Sequence, residues 1–361
     1  SNSMTVRVSK PEFNLREKIN ELDKPVGLKG SQLMKSETTQ DARDFIAAGR
    51  KNLFINGALN VAQRGNSIAS GFVYCMDQWF LMNHGSTTTR ETSSPPEGFT
   101  YYARFASAGT VIFQQNLELP KTGDAGYLQG KTVTVSFYAR TETNATVYVY
   151  ANFRNAAGGG DHTMIYEGKY EITPLTSSWK RYSRTFTIGA TPHANNKCMA
   201  VMIRNPSGQT SGTWEIAGLQ MEFGSTATEF EHRPYAEELK LCERYYEVHW
   251  QNHNPNNPAG AHNDGYNAIA AGGVSGSKAY FPFKFRTQKR ASPTISYSGK
   301  FRISGGSGAG SNKTPDEFYS TGIDGGRIRV PQSGGSNGDG MWLEFDGANT
   351  TSGYIAVSAE L

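Results

Sequence analysis

Short segments of alternating apolar and polar residues restrict the fold of this chain more than any other feature. Between Asn52 and Glu231, segments such as KTVTVSFYAR, ATVYVYANF, WKRYSRTFTI and CMAVMIRN are rich in apolar residues and are separated by Gly, Pro and Asn. A period of two is the spacing of residues on one face of a β-strand. Strands at this frequency are typical of an antiparallel sandwich, so we expect a jelly-roll-like β-sandwich over residues 51–233.

The composition agrees with a mainly β protein rich in turns. Gly supplies 40 of the 361 residues, while hydrophobic residues at 37% and charged residues at 19% fall below globular averages. With 18 Tyr and 19 Phe the chain is too aromatic to be disordered. No apolar run approaches the about 18 residues of a membrane helix. The net charge of +4 is spread without a basic block, so we expect neither nucleic-acid binding nor membrane insertion.

The cysteines and the first residues suggest assembly in a cytoplasm. Cys75, Cys198 and Cys242 are odd in number and widely spaced, which suits neither a disulfide framework nor a zinc site. We expect all three to be buried, reduced thiols. The opening stretch is polar and lacks an apolar signal region, and Met4 resembles a native start.

A helical segment is predicted over residues 4–50. Ser9 and Glu12 have the spacing of a capping box. The apolar residues that follow form one stripe and are our candidates for attachment contacts: Phe13, Leu15, Ile19 and Leu22. A helix of about a dozen residues is marginal alone, so this segment needs a partner subunit or a larger structure.

A connecting helix is predicted over residues 234–249. Its apolar stripe follows steps of four and three, like a heptad seam: Tyr235, Leu239, Cys242, Tyr246 and His249. Two interpretations remain open. The stripe could dock on the sandwich, or Leu239, Cys242 and Tyr246 could contact another subunit.

Residues 250–361 are predicted to form a C-terminal β knob with long Gly-rich loops, since 19 of the 40 Gly lie after Leu241. Loops of this kind are common at binding surfaces. Aromatic rings stack on sugars while Asn, Asp and His bond to hydroxyls, which gives these receptor-binding candidates: Trp250, His253, His262, Asp264, Tyr266 and Tyr319. Tyr280 and Trp342 lie inside strand patterns and are interpreted as core residues.

Catalytic and metal motifs are weak in this sequence. His249, His253, His262 and Asp264 could bind a metal, but a polar loop that hydrogen-bonds to itself is the favoured interpretation. The carboxylate pairs Asp316/Glu317 and Glu344/Asp346 are interpreted as surface charge rather than a glycosidase pair. We therefore expect no catalytic residues, metal or cofactor, and interpret Asp77 and Trp79 as buried structural residues.

Several ordered motifs resemble those of bacteriophage tail fibre proteins. NLFINGALNVAQRGNSIASGFVYCMDQWF precedes GLQMEFGSTATEFEHRPYAEELKLCERYYEV by about the length of one sandwich. The matching residues form an opening motif, a middle motif, a closing motif and its continuation, in that order: Asn56, Gly57, Gln63, Arg64; Tyr74, Asp77, Trp79; Gln220, Glu222, Gly224, Thr228, Phe230, Glu231, Arg233; and Glu238, Leu239, Leu241, Cys242, Arg244, Tyr245, Tyr246, Glu247. The terminal AYFPFKF…GYIAVSAEL resembles that family's knob. VRVSKPEFNLREKINELDKPVGLKG resembles attachment segments of short-tailed phages of marine bacteria, cyanobacteria included.

The resemblance implies a non-enzymatic virion component, usually a homotrimer. Its N-terminus would fix to other phage tail proteins, and its far end would bind a host surface glycan or protein. Two alternatives stay open: a tail adaptor that never touches the host, and a glycan depolymerase of the tailspike type.

Overall fold

The computed structural model describes residues 51–68, 71–83, 87–107, 109–156, 159–171, 173–206, 212–250, 268–306, 309–320, 322–332, 336–346 and 353–361. The helical segment predicted over residues 4–50 lies outside these ranges, with its candidates Phe13, Leu15, Ile19 and Leu22. His253, His262, Asp264 and Tyr266 also lie outside them.

Two antiparallel sheets form the predicted sandwich. The first has the order β1 (Ser67–Ile68), β4 (Thr88–Glu91), β5 (Tyr102–Ser107), β13 (Gly212–Phe223), β7 (Thr132–Thr141) and β11 (Lys180–Thr187). The second has the order β10 (Thr173–Pro174), β8 (Thr146–Ala156), β12 (Cys198–Arg204), β6 (Val111–Glu118), β3 (Trp79–Asn83) and β2 (Gly71–Tyr74), and β9 (Gly159–Glu167) also pairs with β8. Short 3-10 helices lie at Gly126–Leu128 and Gly168–Tyr170.

The core between the two sheets comes from the alternating positions that the sequence marks. Val133, Val135 and Phe137 of β7 point into it, as do Val147 and Val149 of β8. Stacked aromatic rings fill its centre, with Trp79 and Phe113 at 4.6 Å between ring centroids. The sandwich prediction is confirmed, because period-two patterning buries one set of side chains wherever two sheets face each other.

The single α-helix of the described residues is shorter than predicted. α1 (Tyr235–Glu243) ends before Tyr246, which begins the strand β14 (Tyr246–Trp250). The helix predicted over 234–249 is therefore wrong at its C-terminal end, and Tyr246 and His249 belong to no heptad seam. Tyr246 and its successors have high β propensity and pair with a C-terminal strand, which satisfies their backbone groups.

The structure supports the first interpretation of the helix stripe, docking on the sandwich, and the subunit contact stays a prediction. Cys242 is completely buried within the chain and Leu239 is half-buried. Glu238 accepts a hydrogen bond from the backbone N–H of Asn56 in the sandwich, at 2.6 Å. The helix therefore docks on the sandwich of its own chain.

Two further antiparallel sheets form the C-terminal part. One has the order β14, β23 (Tyr354–Ser358) and β17 (Thr294–Ser298). The other has the order β19 (Gly310–Lys313), β18 (Phe301–Ser304), β22 (Gly340–Phe345), β15 (Ala268–Ser275), β16 (Lys278–Lys284), β21 (Gly325–Pro331) and β20 (Glu317–Ser320). Phenylalanines and aliphatic residues such as Phe281, Phe301 and Ile328 form their shared core. Residues Asn52–Leu361 make up one compact unit.

Candidate functional site

The outward face of the second sheet carries an apolar cluster of its own. Along β12, Met199, Val201 and Ile203 enter the sandwich core, whereas Ala200 and Met202 point the other way. They join Phe80, Met82 and Ile112, with Tyr74 and Tyr150 packed against them. The outward face of a sandwich is ordinarily polar, but the five members of this cluster are only 0–9% exposed, so this face is covered rather than open to solvent.

Strand register arranges the outward side chains in rows across the sheet. One row is mostly aromatic and aliphatic: Tyr74, Phe80, Gln114, Met202 and Tyr150. The next row contains Asn116, Ala200 and Asn152. Strands lie about 4.8 Å apart, so the five-strand row extends for about 19 Å. In the first row only Tyr74 and Tyr150 are half-buried, and the other three side chains are buried.

The amide of Asn152 is the main polar feature of this face. Asn152 is completely buried, and within the described ranges neither its oxygen nor its nitrogen has a hydrogen-bond partner. A buried amide without partners costs about 1–3 kcal/mol. It lies between Ala200 of β12 and Met164 of β9 on the neighbouring strands. The amide therefore retains an unused donor and an unused acceptor.

A hydrogen-bond chain fixes the remaining amides of the face. Gln114 Nε2 donates to Asn116 Oδ1 at 2.6 Å, and Asn116 Nδ2 donates to Tyr74 Oη at 3.1 Å. Tyr74 Oη donates in turn to the carbonyl of Leu361 at 2.9 Å. These contacts orient the side chains in advance, which reduces the entropy cost of binding.

Cationic side chains flank the two rows, one on either side. Arg154 and Arg204 lie at outward positions of β8 and β12, and the Arg204 guanidinium is 5.4 Å from the Tyr148 ring centroid. Burial lowers the pKa of Arg154, but a guanidinium stays charged at neutral pH. Phe72 and Met164, 55% and 38% exposed, lie on strands near the two edges of the face.

The motif residues of the sequence analysis lie elsewhere, in a buried structural network. Asn56 Nδ2 donates to the carbonyls of Val61 and Asp77, and its Oδ1 accepts from Val61 N–H. Trp79 Nε1 donates to the carbonyl of Asn56 at 3.0 Å. Asp77 accepts from the backbone and side-chain nitrogens of Gln63, both at 2.7 Å. The prediction that Asp77 and Trp79 are buried structural residues is confirmed.

The closing motif, at the C-terminal end of the sandwich sequence, completes this network. Arg233 donates to the carbonyls of Asn52 and Phe54 and pairs with Glu238 of the helix at 3.1 Å. Glu231 accepts from Asn52 N–H at 2.8 Å. The motifs at the two ends of the sandwich sequence tie it to α1 and β14, and this role accounts for their spacing along the chain.

The cysteines and the candidate metal ligands lie in different surroundings. Cys75, Cys198 and Cys242 are all free and buried, as predicted. Burial raises the pKa of Cys75 and of Cys198 to about 12. Within the described ranges, no group of three or more His, Cys, Asp and Glu is placed to hold a metal ion, and His249 instead bonds to Glu247. None of the helices there is long and apolar enough to cross a membrane.

The other predicted site residues with described positions, Tyr319 and Trp250, lie on different sheets. Tyr319 lies in the strand β20 rather than in a loop, and Arg329 Nη1 donates to its hydroxyl at 2.9 Å. Trp250 ends β14, where it pairs with Tyr354. Trp342 is 44% exposed, so its interpretation as a core residue is wrong. Glu344 and Asp346 are buried, so their interpretation as surface charge is also wrong.

Alternation alone predicts one buried face per strand, so it does not reveal the apolar outward face. The segment CMAVMI of β12 is apolar at consecutive positions. Such a run indicates a strand covered on both faces, and it was the available signal.

Comparisons with known proteins agree with this geometry. Residues 76–208 match the model of a family described as a carbohydrate binding domain. The chain therefore contains a β-sandwich of the carbohydrate-binding type, and the candidate face lies within the matched residues except at Phe72 and Tyr74. A search of curated proteins finds no match.

Solved structures resemble the sandwich only distantly. The N-terminal cellulose-binding domain of Cellulomonas fimi β-1,4-glucanase C is 16% identical, with 45% of this chain and 97% of that one covered and a TM-score of 0.29. The CBM22-1 xylan-binding domain of Paenibacillus barcinonensis Xyn10C is 9% identical, with 50% and 99% covered and a TM-score of 0.32. A bacteriophage CBA120 tailspike protein 4 domain is 17% identical, with 47% and 24% covered and a TM-score of 0.29. At these TM-scores the likenesses say nothing about function.

Proposed function

We propose that the outward face of the second sheet binds a glycan. The observation that carries the proposal is the buried, unpartnered amide of Asn152 beside an apolar row that includes Tyr150 and Met202. Sugar rings present C–H faces that stack on aromatic and apolar side chains, and hydroxyls that pair with amides. The family match over residues 76–208 supports the same ligand class.

We propose further that the protein is a tail fibre of a bacteriophage, present in the virion as a homotrimer. The ordered motifs that resemble tail fibre proteins support this role, and residues 4–50 would attach to other tail proteins. The protein would bind its host receptor, a surface glycan, without chemical turnover. No catalytic residue is assigned.

The first experiment measures binding by the full chain. A glycan array identifies a ligand, and isothermal titration then compares Asn152→Ala and Tyr150→Ala with the parent protein. We expect each variant to lose about tenfold or more in affinity. Tyr170→Ala removes an 81% exposed ring elsewhere in the sandwich and serves as the matched control.

The stability of Asn152→Ala separates binding from folding. Removal of an unpartnered buried amide should leave the free energy of unfolding unchanged or raise it. A variant that unfolds more easily and binds normally would contradict the proposal, because Asn152 would then be structural.

The virion role has its own tests. The purified chain should block adsorption of its phage, and light scattering should give three copies. A monomer at micromolar concentration would contradict the trimer, and release of reducing sugar ends from the bound glycan would contradict binding without turnover.

A further inference from the structure

A second surface with binding chemistry lies on the outward face of the C-terminal sheet. Trp342 of β22 is 44% exposed, although it lies in the middle of a strand. Its neighbours on this face include Gly340 on the same strand and Gly273 on β15, which are directly paired. A Cβ at Gly340 would meet nothing within 4 Å, and one at Gly273 would meet only the Asp339 carbonyl at 3.5 Å. The tryptophan therefore lies beside a flat, open surface made by Gly273 and Gly340, which we call the floor.

The ring of Trp342 is held in place. Its Nε1 donates to Glu344 Oε1 at 2.6 Å, and Ser304 Oγ donates to Glu344 Oε2 at 3.0 Å. The ring also lies against Gly305, where an added Cβ would come within 3.0 Å of Cζ3. An exposed aromatic ring that is fixed by buried partners is a preorganised stacking platform.

An arginine is held just as firmly on the other side of the floor. The Arg327 guanidinium lies between two tyrosine rings, 4.9 Å from the Tyr280 centroid and 4.8 Å from the Tyr319 centroid. Arg327 is exposed, and among the described residues no carboxylate pairs with it. A guanidinium fixed in this way is suited to bind a carboxylate through two parallel hydrogen bonds.

The remaining charges nearby balance one another. Asp316 pairs with Lys278 and Arg329, and Arg329 also pairs with Glu317. Lys284 is exposed on the same face as Arg327, two positions along β16 from Pro282, the residue paired with Arg327. Asp324 lines the same depression as Lys284, so the local excess is one positive charge, and it lies on the Arg327 side.

The spacing fits a short chain of sugars. Trp342, Gly273, Tyr280 and Arg327 lie on four consecutive strands: β22, β15, β16 and β21. Three strand spacings amount to about 14 Å, which accommodates an oligosaccharide with one end on the tryptophan and a carboxylate at the arginine.

We propose that this face is a second glycan-binding site, selective for acidic oligosaccharides that contain uronic acid. A sugar ring stacks on Trp342, the chain crosses the Gly273 and Gly340 floor, and a uronate carboxylate binds Arg327. The site is separate from the sandwich face and does not depend on it.

The test uses the full chain and matched ligands. Binding is measured by isothermal titration with the trimers of galacturonate, mannuronate and glucuronate, and with the methyl ester of the best ligand. We expect one uronate trimer to bind and its ester, which keeps the rings but loses the charge, to bind at least about tenfold more weakly.

Variants then assign the binding to these residues. Arg327→Gln and Trp342→Ala should each weaken the uronate trimer by about tenfold or more, and Trp342→Tyr should weaken it less. Arg327→Lys should fall between Arg327→Gln and the parent, because lysine keeps the charge without the forked geometry. Exposed residues of the sandwich provide controls that should change nothing: Lys131→Gln and Tyr170→Ala.

Three results would overturn the proposal: no uronate trimer binds, the ester binds as well as the acid, or Arg327→Gln and Trp342→Ala bind normally. Thermal unfolding verifies that both variants are folded. Asn152→Ala should bind the uronate trimer normally, so failure of the sandwich site and failure of this site give different results.

Discussion

Nη2 of Arg64 lies 2.5 Å from Oε2 of Glu360, although 296 positions separate the two residues in sequence. The same guanidinium lies 3.4 Å from the ring centroid of Tyr246 in β14. Arg64 belongs to the first motif of the sandwich, and Glu360 follows the strand β23. The contact joins the sandwich directly to the end of the C-terminal sheets.

The protonation of Glu360 should make stability depend on pH. Burial raises the pKa of Glu360 to about 8, and Arg64 opposes this shift only in part. In the unfolded chain a glutamate titrates near about 4.3. The folded protein thus keeps a proton that the unfolded chain releases, so stability falls as the pH rises from about 4.3 to about 8.

We expect Glu360→Gln to flatten this fall. Urea unfolding midpoints between pH 5 and pH 8.5 measure the pH dependence of stability. Glu142→Gln serves as the control, because the Glu142 side chain is 58% exposed. Equal slopes for the parent and Glu360→Gln would show that Glu360 is ionised in the folded protein.

The buried pair of Glu247 and Lys289 should respond in the opposite direction. Both side chains are completely buried, with Lys289 Nζ 2.6 Å from Glu247 Oε2. Burial disfavours the Glu247 charge, but hydrogen bonds from His249 and Lys289 outweigh it and lower its pKa to about 2. The stabilisation is present above about 4.3 and is lost as the pH falls toward 2.

Breaking that pair should be costly. Lys289→Met leaves the buried Glu247 carboxylate without its lysine cation, and we expect a loss of about 3–5 kcal/mol in the free energy of unfolding. Glu247→Gln with Lys289→Met should recover part of it, as measured by urea unfolding. A double variant as unstable as the sum of both single variants would argue against coupling.

Gly57 should tolerate no side chain. A Cβ there would lie 2.1 Å from the carbonyl oxygen of Leu219, which is backbone and cannot rotate away. We expect Gly57→Ala to lose about 3 kcal/mol or more. Gly189→Ala has open space and an ordinary backbone conformation, and should change stability by about 0.5 kcal/mol or less. Thermal or urea unfolding of both variants gives the comparison.

Asn56 combines a backbone and a side-chain role. Its φ is +57°, which asparagine tolerates better than alanine, and its amide makes three buried hydrogen bonds. Asn56→Ala should lose about 3 kcal/mol or more. Asn56→Gly keeps the backbone freedom and should lose less, so the difference in unfolding free energy isolates the strain. Equal losses would assign the whole effect to the amide.

The three thiols should be inert in the folded protein. All are buried, and desolvation raises the pKa of Cys75 and Cys198 to about 12. An aromatic disulfide reagent at pH 8 should label none of them within minutes and all three in guanidinium chloride. Rapid labelling of one native thiol would reveal local opening around it.

The sandwich could be predicted because period two is a property of the chain itself. Val133, Val135 and Phe137 are buried in any arrangement that covers one face of β7. Asp77 and Trp79 were also placed correctly, since a charge between large apolar residues must be paired.

The surfaces depend on what lies across the sheet and were harder to predict. Strand periodicity could not tell which face of β22 carries Trp342, and one step in register decides between core and solvent. The neighbour of Asn152 across the sheet comes from β12, about fifty positions away. Helix length failed at Tyr246 for the same reason, because pairing with β23 overrides local heptad spacing.

The distance along the chain between Arg64 and Glu360 has a consequence for synthesis. At about 5–20 residues per second, a ribosome takes about 15–60 s to translate the segment between them. Until then Arg64 is without its carboxylate partner, and β14 cannot pair with β23. Nascent chains that stall before Tyr354 therefore expose the edge of β14 and the Arg64 side chain. A chaperone or another incomplete chain would bind there.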